Sequence, residues 1–363
     1  MGSSGPRPRR VHLHVVRSID APILLERFLV SAVSCLLILR FYLELTGFPQ
    51  VGGHGLHVAH MLWGGLLMLI SLVLGLSLLG KQAQQLAAVA GGAGFGLFID
   101  ELGKFITSDN NYFYRPAFAI IYIIFVLLFL AIHAIDRGRI RTEQAYLVNA
   151  IDLVKEAFLH DLNVTQRQRA LQLLGQCDPA DPVARELQQA LAEIPEIPDA
   201  TPSPLVRLAR RLRDFYRQII QARVFSTAVV TFFLLYALVA VASFVLLVAG
   251  VGNLKASGAT LSTATLGDLA TAAIAGVMIL FGVVRMLGVR RSRHDAYHWF
   301  RRAVLVSIFL GQIFTFYALQ FVAILALAAN LIILAALDAM IHQEQLQQGT
   351  VVQQQRRGSE RIP

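Results

Sequence analysis

Ionisable side chains gather near one end of the first three apolar segments of this chain. Asp100, Glu101 and Lys104 lie in one short stretch of the third segment, and Arg40 and Glu44 are spaced i, i+4 near the end of the first. In a membrane helix an ionised side chain costs at least about 2.5–3.5 kcal/mol at the bilayer centre, so it is expected to face protein or water. The pattern therefore indicates a functional site.

Histidines add metal-binding chemistry to the same region. His57 and His60 are spaced i, i+3 and so share one face of a helix, with His54 peripheral, a further turn away. Neutral imidazole and carboxylate groups are ligands of zinc, iron and manganese. One hypothesis is therefore a divalent transition-metal site built on three helices. Its candidate ligands are His57, His60, Glu101, Glu44 and Asp100.

Two other interpretations use the same side chains. Histidine and carboxylate groups on adjacent helices can relay protons, and Arg40 with Lys104 would then tune that pathway or bind an anion. The structural interpretation is that Arg40 with Glu44, and Lys104 with Asp100, neutralise each other near the membrane interface. A cluster that is confined to one half of the chain favours a functional role over a purely structural one.

Membrane-spanning helices would have to position these side chains. Apolar residues make up 56% of the 363 residues and charged residues 15%, below the roughly 25% of soluble domains. A span needs about 20 mostly apolar residues. Such runs occupy residues 23–45, 57–79, 87–106, 117–135, 224–249, 266–287 and 303–339. The last is long enough for two spans with a break near residues 317–320, so the sequence predicts an all-α, polytopic membrane protein of about eight helices.

The distribution of arginine predicts the orientation of these helices. Arginines cluster before the first span, after the fourth, before the fifth and between the sixth and seventh, whereas the alternate loops contain only Arg115 and Lys255. This bias predicts that both termini are cytoplasmic. This arginine bias explains the net charge of +9, because the positive residues lie in predicted cytoplasmic loops next to the lipid bilayer. We therefore predict no nucleic-acid partner. The Arg-rich, Lys-poor composition favours the plasma membrane of a bacterium.

The chain is predicted to comprise five segments. They are a cytoplasmic N-terminal segment (1–20), helices one to four with the polar site (21–136), a cytoplasmic helical insert (137–222), helices five to eight (223–342) and a disordered cytoplasmic tail (343–363). In the insert, Thr165 is a predicted N-cap, Gly175 a helix stop and Pro182 a helix start. A cytoplasmic protein partner bound through 137–222 and a homo-oligomer are partner hypotheses that the sequence leaves open.

The two four-helix halves resemble diverged parallel copies. Residues 66–69, after Gly65, resemble residues 277–280, after Gly276. At the same offset Glu101 corresponds to Gln312 and His57 to Asp268. Because the second half has lost nearly all the ionisable groups, this alignment predicts that the first half carries the site and that the second half mainly scaffolds it.

Small and amphipathic residues predict how the helices pack. Gly92 and Gly96, spaced i, i+4, predict close helix packing, with Gly64 and Gly65 as the matching surface. Tyr112 is a predicted interface anchor. The predicted interhelical hydrogen-bonding residues of the last spans are Gln312, Gln320 and Asn330.

Three functions are compatible with these patterns. The first is the handling of an ion or small solute at a His/carboxylate site near the extracytoplasmic face. The second is a membrane-embedded metalloenzyme that acts on a lipid-like substrate, and the third is a non-catalytic sensor or scaffold with the cytoplasmic insert as its output. The sequence contains no nucleophile triad, nucleotide-binding loop or cofactor fingerprint, and it leaves enzymatic activity undecided.

Overall fold

The chain folds into helices wherever its structure is described. The computed structural model describes residues 16–47, 59–109, 111–137, 142–158, 164–193, 263–287 and 293–359, with scattered positions between 207 and 245. These residues contain helices and no strand. The helices are α1 (Ala21–Thr46), α2 (His60–Ser77), α3 (Lys81–Asp100), α4 (Leu102–Ile106), α5 (Arg115–Arg137), α6 (Glu143–Phe158), α7 (Val164–Leu174), α8 (Pro182–Glu193), α9 (Thr263–Leu287), α10 (Arg293–Val306), α11 (Gln312–Leu319) and α12 (Ala323–Ser359). The all-α prediction is confirmed for this part of the chain.

Five helical segments are long and apolar enough to cross a membrane. They are Ala21–Thr46, His60–Ser77, Arg115–Ile135, Leu266–Arg285 and Asp295–Ile341. Most of their apolar surface is not covered by protein, since between 6% and 33% of the most apolar window of each segment is buried. Apolar patches of this extent are rare on soluble monomers. The apolar helices therefore indicate a membrane location.

The difference between five segments and the eight predicted spans has three sources. The third predicted run forms α3 and the five-residue α4, and neither is among the five. Most of the fifth run, 224–249, lies outside the described residues. The last two predicted spans fall in one continuous segment, Asp295–Ile341. The eight-helix arrangement and its two repeated halves stay predictions.

A break in the helix nevertheless occurs inside Asp295–Ile341. The chain leaves α11 at Leu319 and makes a 3₁₀ turn over Gln320–Val322 before α12. Gln320 has a φ of 51°, a backbone conformation that glycine adopts more easily than other residues. Its side-chain Nε2 donates a hydrogen bond to the carbonyl oxygen of Phe113 at 3.3 Å. The break lies at the end of the interval 317–320 that the sequence indicated, and the glutamine contacts a loop carbonyl rather than another helix.

The chain divides into two compact units, residues 1–99 with 128–201 and residues 100–127 with 202–363. In the first unit α2 and α3 approach closely at a pair of glycines. A Cβ atom added to Gly64 would lie 2.7 Å from both the carbonyl oxygen of Gly94 and the backbone nitrogen of Phe98. Because these neighbours are backbone atoms, a side chain at Gly64 would push the two helices apart.

Gly92 and Gly96 of α3 face α1 instead. A Cβ atom on Gly92 would collide with the backbone of Phe28, and one on Gly96 with the backbone of Ala32. The predicted close packing is therefore confirmed, but Gly92 and Gly96 meet α1 and not α2. Gly65 belongs to no such contact, because nothing in the described part of the chain lies within 4 Å of a Cβ atom placed on it.

The insert forms a small helical core within the first unit. α7 begins at Val164 and is followed by Gly175, whose backbone N–H donates to the Leu171 carbonyl oxygen. α8 begins at Pro182, and the side chain of Asp181 accepts a hydrogen bond from the Val183 backbone at 2.8 Å, as an N-cap does. The buried side chains of this core are Ala150, Leu153, Val154, Ala170, Leu173, Leu174, Cys177, Ala184 and Leu191.

The second unit is built around α9, α10 and α12. Its largest buried cluster joins side chains such as Ile279, Phe300 and Leu337 from these three helices. Tyr122 of α5 stacks on Phe316 of α11, with ring centroids 4.7 Å apart. The Tyr122 hydroxyl also donates to the Ile308 carbonyl oxygen in the π-helical turn Ser307–Gly311, which joins α10 to α11. Tyr122 therefore contacts this turn through a buried hydrogen bond and the adjoining α11 through ring stacking.

Candidate functional site

Two neighbouring carboxylates are buried where α3 ends. Asp100 is the last residue of α3, and Glu101 stands between α3 and α4. Each is only 1% exposed. The Tyr112 hydroxyl donates a hydrogen bond of 2.6 Å to Oδ2 of Asp100. A charge-assisted O–H···O⁻ bond of this length is a strong one, so Tyr112 fixes the orientation of the Asp100 carboxylate.

Lys104 neutralises the second carboxylate. Its Nζ lies 3.3 Å from Oε1 of Glu101 and 5.2 Å from the centroid of the Tyr112 ring. The ammonium group therefore has both a carboxylate and an aromatic face within reach. The structure describes an ion pair of Lys104 with Glu101, and the pairing of Lys104 with Asp100 in the structural interpretation stays a prediction.

A tight loop holds Tyr112 against α4. Gly103 lies so close to this loop that a Cβ atom on it would be 2.9 Å from the Asn111 carbonyl oxygen. The Thr107 hydroxyl donates to the Gly103 carbonyl oxygen and accepts from the Asn111 backbone N–H, both at 2.8 Å. Tyr112 was predicted as an interface anchor, but its hydroxyl is a hydrogen-bond donor to Asp100. It thus belongs to the site.

The remaining predicted site residues belong to the first unit or lie outside the described residues. Arg40 is buried on α1, 6% exposed, whereas Glu44, one turn later, is exposed. His60 is the first residue of α2 and is half-buried. His54 and His57 lie outside the described residues. The structure therefore brings together Asp100, Glu101 and Lys104, and it adds Tyr112 to them.

The described residues do not form a metal site by themselves. Within residues 16–47, 59–109 and the other described ranges, no group of three or more His, Cys, Asp or Glu side chains could hold a metal ion. The predicted set of His57, His60, Glu101, Glu44 and Asp100 includes a residue outside those ranges, so it stays a prediction. The two carboxylates and the phenol oxygen can bind a proton or a small cation, for which the Lys104 ammonium is a competitor.

A second polar cluster, which we call the Asp20 hub, lies in the first unit. Asp20 directly precedes α1, and its carboxylate lies 2.7 Å from Nζ of Lys81, the first residue of α3. The same carboxylate lies 3.3 Å from a guanidinium nitrogen of Arg169 on α7. The Asp20 side chain thus connects the N-terminal ends of α1 and α3 with α7 of the insert.

Two buried polar residues of α6 extend the Asp20 hub. Asn149 is 3% exposed and accepts a 2.7 Å hydrogen bond from the backbone of Ile19, and Glu156 is 1% exposed and accepts one of 3.3 Å from the backbone of Lys81. The apolar Ile151 of the same helix is, by contrast, 44% exposed. Asn149 and Glu156 are spaced i, i+7, and this helical spacing was the available signal for them.

Comparison of the chain with protein-family models, with curated proteins and with solved structures found no match.

Proposed function

We propose that this chain is an integral membrane protein that handles a small inorganic cation, a proton or a metal ion, at Asp100 and Glu101. The observation that carries the proposal is the burial of two adjacent carboxylates, each 1% exposed, at a helix break. Buried ionisable groups are costly inside a membrane protein and mark ion and proton pathways. A helix interruption beside them frees backbone groups for coordination.

The orientation of the site is part of this proposal. With both termini in the cytoplasm of a bacterial cell, α3 runs outward and its end lies near the extracytoplasmic face. Asp100 and Glu101 would then lie within about 10 Å of the outer surface, because a helix rises about 1.5 Å per residue. A cation would reach them from outside the cell.

Lys104 gives the site a way to respond to a cation. In the structure its ammonium group neutralises Glu101. A bound metal ion, or a proton on Glu101, would remove that ion pair. Lys104 would then keep its contact with the Tyr112 ring, 5.2 Å away. Binding is therefore expected to replace the Lys104 ammonium as the positive charge next to the Glu101 carboxylate.

Flux measurements in proteoliposomes test the proposal. We expect the native protein to carry a proton or metal-cation flux above that of empty vesicles. Glu101→Gln should lower this flux at least about tenfold, since a lost charge interaction of about 1.4 kcal/mol already gives that factor. The matched control is Asp109→Asn, which removes an exposed carboxylate eight residues later and should leave the flux unchanged. Equal fluxes in both variants, or none in the native protein, would refute the proposal.

A second candidate function, a sensor or scaffold with the insert as its output, is supported by the Asp20 hub. The hub ties α6 and α7 to the first residues of α1 and α3 through Asp20, Asn149 and Glu156. A movement of α1 or α3 would displace the insert, because packed elements with fixed polar contacts shift together. A protein partner would then bind the insert on the cytoplasmic side.

A further inference from the structure

A cavity of about 330 Å³ lies in the second unit among α9, α10, α11 and α12. Cavities of about 300–1,000 Å³ are the usual size of small-molecule sites. The polar residues that line it are Asp268, Thr271, Ser307, Gln312, Thr315 and Asn330. Ser307 and Gly311, which bound the π-helical turn, both line it. Single π-helical turns inside α-helices are frequent at functional sites.

Gln312 is a buried polar residue of this lining with a hydrogen-bond acceptor that the described residues leave unsatisfied. It is only 3% exposed, and its Oε1 has no hydrogen-bond partner within the described part of the chain. A buried acceptor without a donor costs about 1–3 kcal/mol, so such atoms are rare in native proteins. An N–H group entering the cavity would supply the missing donor.

The charge of the lining residues indicates the charge of that ligand. Asp268 is the one charged side chain among the lining residues that the structure describes, and it is exposed where Gln312 is buried. Its described hydrogen-bond donor is the Thr315 hydroxyl, at the long distance of 3.5 Å. Thr271 donates its hydroxyl hydrogen to the carbonyl oxygens of Gly267 and Asp268, which leaves its oxygen as an acceptor. These groups recognise a cation.

The rest of the lining is apolar. Ala275, Ile279 and Val304 form part of the wall, and all are buried. A bare metal ion would occupy a small part of about 330 Å³, since one water takes about 30 Å³ of liquid volume. A ligand that fills the space needs an apolar body as well as a charged end.

We propose that this cavity binds a small organic cation. Its ammonium group is held by the Asp268 carboxylate and the Gln312 side-chain oxygen, and its apolar body lies against the small side chains of α9 and α10. The site shares no residue with Asp100 and Glu101. Either proposal can therefore fail without the other.

Thermal unfolding of the purified full-length chain in detergent, with n-butylammonium chloride as the probe, tests this site. We expect butylammonium to raise the unfolding midpoint, because a ligand that binds only the folded state stabilises it. Sodium chloride and n-butanol at the same concentration, which supply the charge alone and the apolar chain alone, should not. Asp268→Asn should weaken the butylammonium effect at least about tenfold in concentration, whereas Glu101→Gln should leave it intact.

Gln312→Leu separates binding from stability. This variant removes the unpartnered oxygen, so the midpoint without ligand is expected to stay the same or rise. The response to butylammonium should nevertheless be lost. Equal responses to all three probes, or an undiminished butylammonium response in both Asp268→Asn and Gln312→Leu, would overturn the proposal.

Discussion

Replacing Gly64 with alanine is expected to destabilise the protein by about 3 kcal/mol, the upper part of the range for overpacked sites. The added Cβ atom would lie 2.7 Å from two backbone atoms of α3, at Gly94 and Phe98. Neither atom can move without its helix, so α2 and α3 have to separate along their contact. Gly94→Ala should have a similar effect, since its Cβ atom would lie 2.6 Å from the Gly64 carbonyl oxygen.

The adjacent glycine provides a matched control for this prediction. Gly65→Ala adds the same atom to the same helix at a position with no described atom within 4 Å. It should leave stability unchanged or raise it by up to about 1 kcal/mol through helix propensity. Thermal unfolding followed by circular dichroism in detergent compares the two variants. Equal midpoints for Gly64→Ala and Gly65→Ala would show that the close approach of α2 and α3 is wrong.

Replacing Asp20 with alanine is expected to release the insert from α1 and α3. The substitution leaves the ammonium of Lys81 and the guanidinium of Arg169 without the carboxylate that lies between them. Removing one partner of a buried ion pair costs about 3–5 kcal/mol. Arg169 is 38% exposed and therefore partly screened by solvent, so we expect about 2–3 kcal/mol here. Hydrogen–deuterium exchange should rise in α6 and α7 before the rest of the chain unfolds.

Asp152→Ala is the control for the Asp20 hub. Asp152 pairs with Lys155 on α6, but both side chains are about one-third exposed, at 34% and 30%. Such surface pairs contribute about 0–1 kcal/mol. Exchange rates in α6 and α7 should therefore stay close to those of the native protein. If Asp20→Ala changed exchange no more than Asp152→Ala does, the hub would not couple the insert to α1 and α3.

Local signals in the sequence were sufficient at some helix ends: Gly175 follows α7 as predicted, whereas α7 begins at Val164, before the predicted N-cap Thr165. Asp181 and Pro182 marked the start of α8 correctly because capping and proline geometry depend on a few adjacent residues. The helix break at Gln320 was placed correctly from the length of the apolar run alone. The hydrogen bond from the Gln320 side chain to Phe113 could not be foreseen, since the two residues are 207 positions apart in the sequence.

The residues of the candidate site and of the cavity divide in the same way. Asp100, Glu101 and Lys104 were visible because charge is expensive in an apolar segment. Tyr112 was missed as a partner of Asp100, because a loop of unknown shape separates the two residues in sequence. The cavity around Gln312 was missed for a different reason. Uncharged amides and hydroxyls occur in membrane helices without special cost when they bond to each other, and Asn330 with Ser307 is such a pair.

The central claim is that the buried carboxylate of Glu101 itself takes up the cation. Infrared difference spectroscopy of the membrane-reconstituted protein, recorded while pH or cation concentration is changed, observes carboxyl groups directly. We predict a carboxyl band that changes in the native protein and in Asp109→Asn and is absent from the difference spectrum of Glu101→Gln. A difference spectrum that is the same in all three proteins would contradict the claim.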